Sequence, residues 1–434
     1  MSYAIWVLFG SFAVFMAMGV PIAFAIGTAA TLTFLLFMSF EQSIFIVAQQ
    51  MASGLDSFTL LAIPFFILAG NIMNRGGIAL RLIAFAKVLA GRLPGALAHC
   101  NVIANMLFGS ISGSAVASAA AVGGVMAPLQ DREGYDRGYS AAVNIASCPT
   151  GLLIPPSATL IVYSLITGGT SIAALFVAGY LPGLLMGAGL MLVAGIIAKR
   201  RGYPVSPRPG RGEVLRAARD AILPLGLIVV IMGGIISGVF TATEASAAAV
   251  IYALVLALGW YREIGLRDLP RIIIDSAVTT SVVLLMIGAS IAMSRAMAFG
   301  MIPNTISDAL LGLSQNPIAI LLAINITLLL IGTFMDMTPA LLIFTPIFLP
   351  VVQDIGVDPV HFGIVMTFNL CIGICTPPVG SALFVGCSVG GTSIARVIRP
   401  LLPLYAVLVV LLFVITYVPE ISLFLPRVLL GYGA

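Results

Sequence analysis

Two double prolines, Pro155-Pro156 and Pro377-Pro378, each interrupt a long apolar run, and they restrict the possible folds more than any other feature of this chain. A proline removes a backbone donor and collides with the carbonyl one turn earlier; it also pushes the preceding residue out of helical geometry. In hydrocarbon the carbonyls freed in this way need other partners, so such a break survives only where it is buried in protein or lines a polar cavity. Shifting the sequence on itself by 222 residues lays GLLIPPSATLIVYSLITGGTSIA (151–173) on GICTPPVGSALFVGCSVGGTSIA (373–395) without a gap, and nine of the 23 pairs are identical. Two apolar Gly/Pro-rich stretches share some residues by composition alone. GGTSIA in register with GxxxPP points instead to duplication.

The surroundings of the breaks are membrane-like. Of 434 residues, 60% are hydrophobic and 8% charged, against about one quarter charged in soluble domains. Apolar runs long enough to span a bilayer recur along the chain. The first residues, MSYAIWVLFGSFAVFMAMG, lack a basic segment and a small-residue cleavage site, so the sequence predicts a first span there. Five cysteines without paired spacing and two histidines suggest neither disulfides nor a zinc site. His99 and His361 flank spans and are expected at the membrane interface.

Basic residues mark sidedness. Lys199, Arg200, Arg201, Arg208, Arg211, Arg216 and Arg219 crowd a linker at 199–219, and Arg75, Arg81, Lys87 and Arg92 follow one another without an intervening acid. An excess of Lys and Arg places both stretches on the cytoplasmic side. Nucleic acid is the other reading of a basic cluster, but wedged between spans the membrane rule suffices, and no nucleic-acid partner is expected. The linker separates a first half, 1–198, from a second, 220–434.

In the first half the sequence predicts scaffold helices, a hairpin near 97–130 and a broken helix near 137–166; in the second, a hairpin near 317–354 and a broken helix near 361–390. The hairpin tips fall in GSISGSAVASAAAVGG and IGTFMDMTPA. Small residues can also serve as a helix-packing stripe, and Ala117 to Ala121 suit that use. Ser110, Ser112 and Ser114 beside Gly109 and Gly113 fit a tight re-entrant turn whose hydroxyls face one site. Paired Gly/Pro-interrupted segments in two halves mark the binding region of a transporter, and freed carbonyls are ready cation ligands; Thr376 adds a hydroxyl at the second break. Asp336 is a carboxylate near membrane depth, where charge is costly. It could bind a cation, relay a proton or cap the helix that starts near Thr338, and its position ahead of Thr338-Pro339 favours the cap. Asp56 reads as a cap in the same way. Arg295 can snorkel from the end of its span or pair with a substrate carboxylate.

The motifs DSFTLLAIPFFILAGNIM, SISGSAVA, GLLIPPS, GTFMDMTPALLIFTPIFLP and GICTPPVGSALFV, in this order, resemble the large membrane subunit of tripartite ATP-independent periplasmic (TRAP) transporters, the DctM-like family, from about residue 10 to 425. The resemblance implies an all-α polytopic membrane protein of two inverted repeats with helical hairpins and broken helices. It implies a sodium-driven, elevator-type transporter of the bacterial inner membrane, not an enzyme, with Na+ as coupling ion. The implied partners are a small four-helix membrane subunit, a periplasmic substrate-binding protein and membrane lipid. The substrate class is an organic acid such as a dicarboxylate, sugar acid or sialic acid. One sodium site would comprise Ser112, Gly151, Ile154 and Pro156, the other Gly332, Gly373, Thr376 and Val379. Ser110, Ser114, Asn144, Ser381, Arg295 and Asp336 are the substrate candidates. The sequence departs from some relatives at Ala115, after SGS, where a polar ligand would be missing.

Rival readings are a single-component sodium or proton symporter of a related elevator fold, an intramembrane enzyme and an ATP-driven permease. An enzyme would need a catalytic dyad at membrane depth, but no GxSxG or HExxH is present; the ATP-driven reading lacks a P-loop.

Overall fold

The computed structural model describes residues 2–91, 93–205, 210–313 and 316–433. Arg92 and Arg208 of the two basic clusters lie outside the described residues. Every regular element among the described residues is helical. The first half contains α1 (Ser2–Ala17), α2 (Ile22–Phe34), α3 (Phe40–Leu55), α4 (Ala62–Arg75) preceded by a 3-10 turn (Phe58–Leu61), α5 (Ile78–Ala90), α6 (Ala96–Ser112), α7 (Ala115–Arg132), α8 (Arg137–Ser147), α9 (Thr150–Leu153), α10 (Ala158–Ile166) and α11 (Ile172–Arg200). The second contains α12 (Arg211–Ile236), α13 (Ala242–Leu254), α14 (Leu269–Phe299), α15 (Ile302–Leu313), α16 (Pro317–Gly332), α17 (Met337–Asp354), α18 (Pro359–Gly373), α19 (Ser381–Val389), α20 (Ile394–Tyr417) and α21 (Glu420–Leu430). Seven helical stretches are long and apolar enough to cross a membrane, and the bent pair Arg137–Leu153 and Ala158–Ile166 makes an eighth, with a 52° bend. The basic linker is shorter than its charge pattern suggests, because α11 runs to Arg200 and α12 starts at Arg211.

The helices sort into two bodies. In one, α2, α3 and α4 pack on α14, and α13 packs on α4. In the other, α6 packs on α7, α8, α9 and α11, while α18 packs on α11, α16, α17 and α20. The first body is pinned at one end. Asn71 Nδ2 donates to Ser276 Oγ (2.8 Å), Arg75 pairs with Asp275 (2.5 Å), and Arg81 pairs with Glu263 (3.0 Å) while its guanidinium stacks on the Tyr261 ring at 3.7 Å. These contacts tie the two halves of the chain into one scaffold.

Small residues and buried amides hold the second body, as expected where lipid gives helices no hydrophobic reason to associate. The Asn105 amide nitrogen lies 2.8–3.0 Å from Asn101 Oδ1, Asn144 Oδ1 and Ser147 Oγ, and Ser118 Oγ donates to Asn105 Oδ1 at 2.7 Å. In the second half Asn369 Nδ2 bonds the Asn325 carbonyl and side chain, both at 2.9 Å. Both histidines are buried within the protein. His361 Nδ1 lies 2.6 Å from Ser422 Oγ, and Nε2 donates to the Thr416 carbonyl (3.2 Å); a polar network inside the bundle satisfies the ring. At the corner between α7 and α8, Arg137 forks onto Asp131 at 2.8 and 2.9 Å and holds that carboxyl below its usual range.

Candidate functional site at the hairpin tips

The first hairpin turns at Ser112-Gly113-Ser114. Gly113 closes α6 in the left-handed conformation (φ 63°), its N–H bonding the Gly109 carbonyl at 2.8 Å, and glycine reaches that region without a Cβ penalty. Ser114 then caps α7 by accepting from Ala117 N (3.2 Å). The tip rests on the scaffold: a methyl group on Gly70 of α4 would lie 2.9 Å from the Ser112 carbonyl oxygen. The second hairpin turns between α16 and α17, and Asp336 is the residue before α17.

The Asp336 carboxylate does not cap α17. Instead Oδ1 accepts from Ser381 Oγ at 3.0 Å, across 45 residues of sequence. This corrects the capping expectation. Asp56 also makes no cap: it ends α3, and the turn that follows has no side-chain cap.

Both tips open onto one cavity of about 370 Å³. Ser112, Gly113 and Ser114 line it from the first hairpin, Asp336 and Thr338 from the second, and Pro156, Ala158 and Thr159 from the first break. The scaffold contributes Asn71 and Asn74 of α4 and Thr279 of α14. Asp336 is the one charged group among the described lining residues.

Each break is crossed by the first arm of its own hairpin, and glycine makes both crossings possible. A Cβ on Gly151 would overlap the backbone of Gly109, and one on Gly373 would lie 2.6 Å from the Gly332 Cα. Gly151 and Leu152 lose their donors four residues on, because those positions are Pro155 and Pro156. The second break is more tied: Thr376 N bonds Gly373 O (2.8 Å), Ala382 N bonds Ile374 O (3.1 Å) and Val379 N bonds Thr333 O (3.1 Å). The Thr376 hydroxyl donates to Ile372 O at 2.8 Å, and the Tyr405 hydroxyl donates to Cys375 O.

Ser112, Ser114, Pro156 and Asp336 thus share one cavity, with Ser381 held to Asp336. Gly332, Gly373, Thr376 and Val379 gather at the second break. Ile154 packs against Gly183, away from the cavity. Four substrate candidates are not among its lining residues: Ser381, joined to it only through Asp336, and three that lie elsewhere. Ser110 is buried with its hydroxyl on Leu107 O (2.9 Å), Asn144 donates to Ala119 O (2.9 Å) inside the bundle, and Arg295 lies over the Phe299 ring. Sequence reasoning missed Asn71, Asn74, Thr159 and Thr279. The signal was available in AGNIMNR, where two amides three residues apart share a face of an otherwise apolar helix.

Hairpins, matched breaks and a polar cavity between two helical bodies define a polytopic membrane transporter subunit. Residues 9–421 match the DctM component of tripartite ATP-independent periplasmic transporters, and the chain belongs to that family. It is 58% identical to an uncharacterized protein, YgiK, of Salmonella typhimurium, over 98% of this chain and 97% of that one. It is 40% identical to the sialic acid TRAP transporter large permease SiaM of Vibrio cholerae, over 96% of each chain. Identity is also 40% to the C4-dicarboxylate large permease DctM of Pseudomonas aeruginosa, over 93% of this chain and 94% of that one. In fold it is similar to the Alcanivorax borkumensis YdaH transporter, with a TM-score of 0.62 over 91% of this chain and 89% of that one, at 14% identity. The chain is therefore a TRAP large permease, a multi-pass inner-membrane protein and not an enzyme.

Proposed function

We propose that this permease imports an organic-acid anion with sodium, receiving it from a periplasmic binding protein and working beside a small four-helix membrane subunit. The observation that carries this reading is the convergence of both hairpin tips and the first break on one cavity whose lone charged lining residue is acidic. A carboxylate substrate entering beside Asp336 meets repulsion in a region of weak screening. Co-bound cations remove that repulsion, and carbonyls at the neighbouring break suit Na+.

On this reading, one sodium sits at Ser112 and the Gly151–Pro156 break, and a second at Gly332, Gly373, Thr376 and Val379. Bound sodium orders the tips. The substrate carboxylate is then met by the hydroxyls of Ser114, Thr159, Thr279 and Thr338, by the Asn71 and Asn74 amides, and by the N-terminus of α7. The body that carries the hairpins moves against the pinned scaffold and takes substrate and sodium across together. Arg75 at the end of α4, Arg267 just before α14 and Arg271 in its first turn support a cytoplasmic reading of this end of the cavity. The relatives that carry sialic acid and C4-dicarboxylates support an organic acid as cargo.

The test is uptake into proteoliposomes holding the chain and its small partner, with the binding protein added outside. An inward sodium gradient should drive accumulation. Equal uptake with potassium in place of sodium would overturn the coupling.

A further inference from the structure

A second polar cavity, of about 300 Å³, lies between the same two bodies. It is lined by Ser53, Gly54 and Ser57 before α4, by Ser290 and Ser294 of α14, by Leu165 and Ile166 of α10, and by Leu342 of α17. Ser290 is 3% exposed, and its hydroxyl has no hydrogen-bond partner among the described residues. Burying an unpaired hydroxyl is costly, and Ser290 carries that cost at the edge of a polar cavity.

The two cavities are arranged along the same helices. On α14, Thr279, Val283 and Met286 line the hairpin-tip cavity while Ser290 and Ser294 line the second one, and spacings of four, three, four and four place all five on one face. The other scaffold wall repeats the order. Asn71 and Asn74 border the first cavity, Ile63, Phe66 and Ile67 follow, and Ser53 and Ser57 border the second. Each wall therefore reads polar, apolar, polar. The mobile body presents two helices, α10 and α17, to both cavities: Thr159, Val162 and Thr338 to the first, Leu165, Ile166 and Leu342 to the second. At 1.5 Å per residue, Thr279 and Ser290 are roughly 16 Å apart along α14.

We propose that Ser290 and Ser294, with Ser53 and Ser57, form the scaffold wall of the substrate site when that site faces the periplasm. The inference rests on the alternating-access reading above and adds residues to it. The hairpin tips would exchange Thr279, Asn71 and Asn74 for the serine group, crossing the collar of Val283, Met286, Ile63 and Phe66. Serine hydroxyls donate to a carboxylate and accept from substrate hydroxyls, so this wall suits a polyol acid or a dicarboxylate equally. The collar offers no polar partner and separates the two positions.

Paired cysteines test the exchange, using the full complex in membranes. The five native cysteines are buried, which keeps background labelling low. Ser114→Cys with Thr279→Cys should be bridged by mercuric ion in the register seen here; Ser114→Cys with Ser294→Cys should be bridged in a separate, substrate-dependent population. Bridging of the first pair alone under every condition, in a complex whose parent shows sodium-driven uptake, would overturn the proposal. Failure of the parent to use sodium would instead count against the coupling reading.

A second measurement needs no cross-link. Ser290→Ala with Ser294→Ala should raise the KM for periplasmic substrate by about fivefold, the cost of one lost hydrogen bond, and leave the KM for cytoplasmic-side counterflow unchanged. An equal shift on both sides, or none on either, would remove these serines from the substrate wall.

Discussion

The Cys371 thiol donates to the Pro149 carbonyl at 3.6 Å, and the two residues are 222 positions apart, the same shift that superposes the double-proline segments. Under a two-fold relation between the halves, a residue meets its own counterpart only beside the axis, and this contact has the sequence spacing of such a meeting. The two breaks are packed against each other in the hairpin-bearing body, where α18 meets α9.

The glycine crossings on either side of that axis should tolerate no side chain. Gly151→Ala and Gly373→Ala each place a Cβ against backbone of the hairpin arm, where overpacking costs about 1–3 kcal/mol. Thermal unfolding in detergent should show a lowered Tm for both. Gly124→Ala and Gly233→Ala, with nothing within 4 Å of the added Cβ, serve as controls and should melt like the parent.

Asp336→Asn retains an acceptor for the Ser381 hydroxyl and removes the charge. The sodium concentration for half-maximal uptake should rise about tenfold, equivalent to ~1.4 kcal/mol. Ser381→Ala leaves the charge in place and should shift it less. Sodium titrations that rank the two variants the other way would mean that positioning by Ser381, and not charge, is what Asp336 supplies.

Ser112, at the first hairpin tip, and Thr376, at the second break, are the two hydroxyl-bearing candidates for the sodium sites, and they differ in what their hydroxyls already do. Thr376 spends its proton on Ile372 O at 2.8 Å, whereas the Ser112 hydroxyl has only a long contact, 3.5 Å, to Ser114 O. Donating that proton leaves the lone pairs of the Thr376 oxygen free for a cation, so Ser112→Ala and Thr376→Val should each raise the sodium concentration needed for uptake. The comparison is read from sodium-activation curves at fixed substrate.

Much of this arrangement was legible in the sequence because proline and glycine act locally. The breaks, the Ser112–Ser114 tip and the GTFMD tip need only the rules of helix termination. What stayed hidden depends on rotation and long-range contact. Ser110 is two residues from Ser112 and turns into the bundle; Asn144 faces α7; Asp336, just before α17, finds Ser381, the first residue of α19, only through a contact across 45 residues. The scaffold wall was hidden for a related reason: Asn71 and Thr279 are ordinary polar residues until α4 and α14 are placed side by side.

The pins that hold those two helices together should contribute unequally. Arg75 and Asp275 are 40% and 49% exposed, and a pair so open to solvent is worth roughly 0.2–1 kcal/mol. Asp275→Ala should hardly alter the Tm. Ser276, buried and bonded to Asn71, should cost more when replaced by alanine, and a double-mutant cycle with Asn71→Ala would report their coupling directly.

The carbonyls at Gly151 and Leu152 belong to the main chain, so every amino acid at those positions supplies the same oxygen. An alanine scan across 151–154 would report packing and pass over main-chain ligation, whereas alanine at Pro155 or Pro156 would restore a donor to the freed carbonyls. The informative change is chemical: an α-hydroxy acid at Leu152 turns the Gly151 amide into an ester and weakens its oxygen as a donor. A chain whose proposed ion ligands are main-chain oxygens can change nearly every surrounding side chain and keep the site.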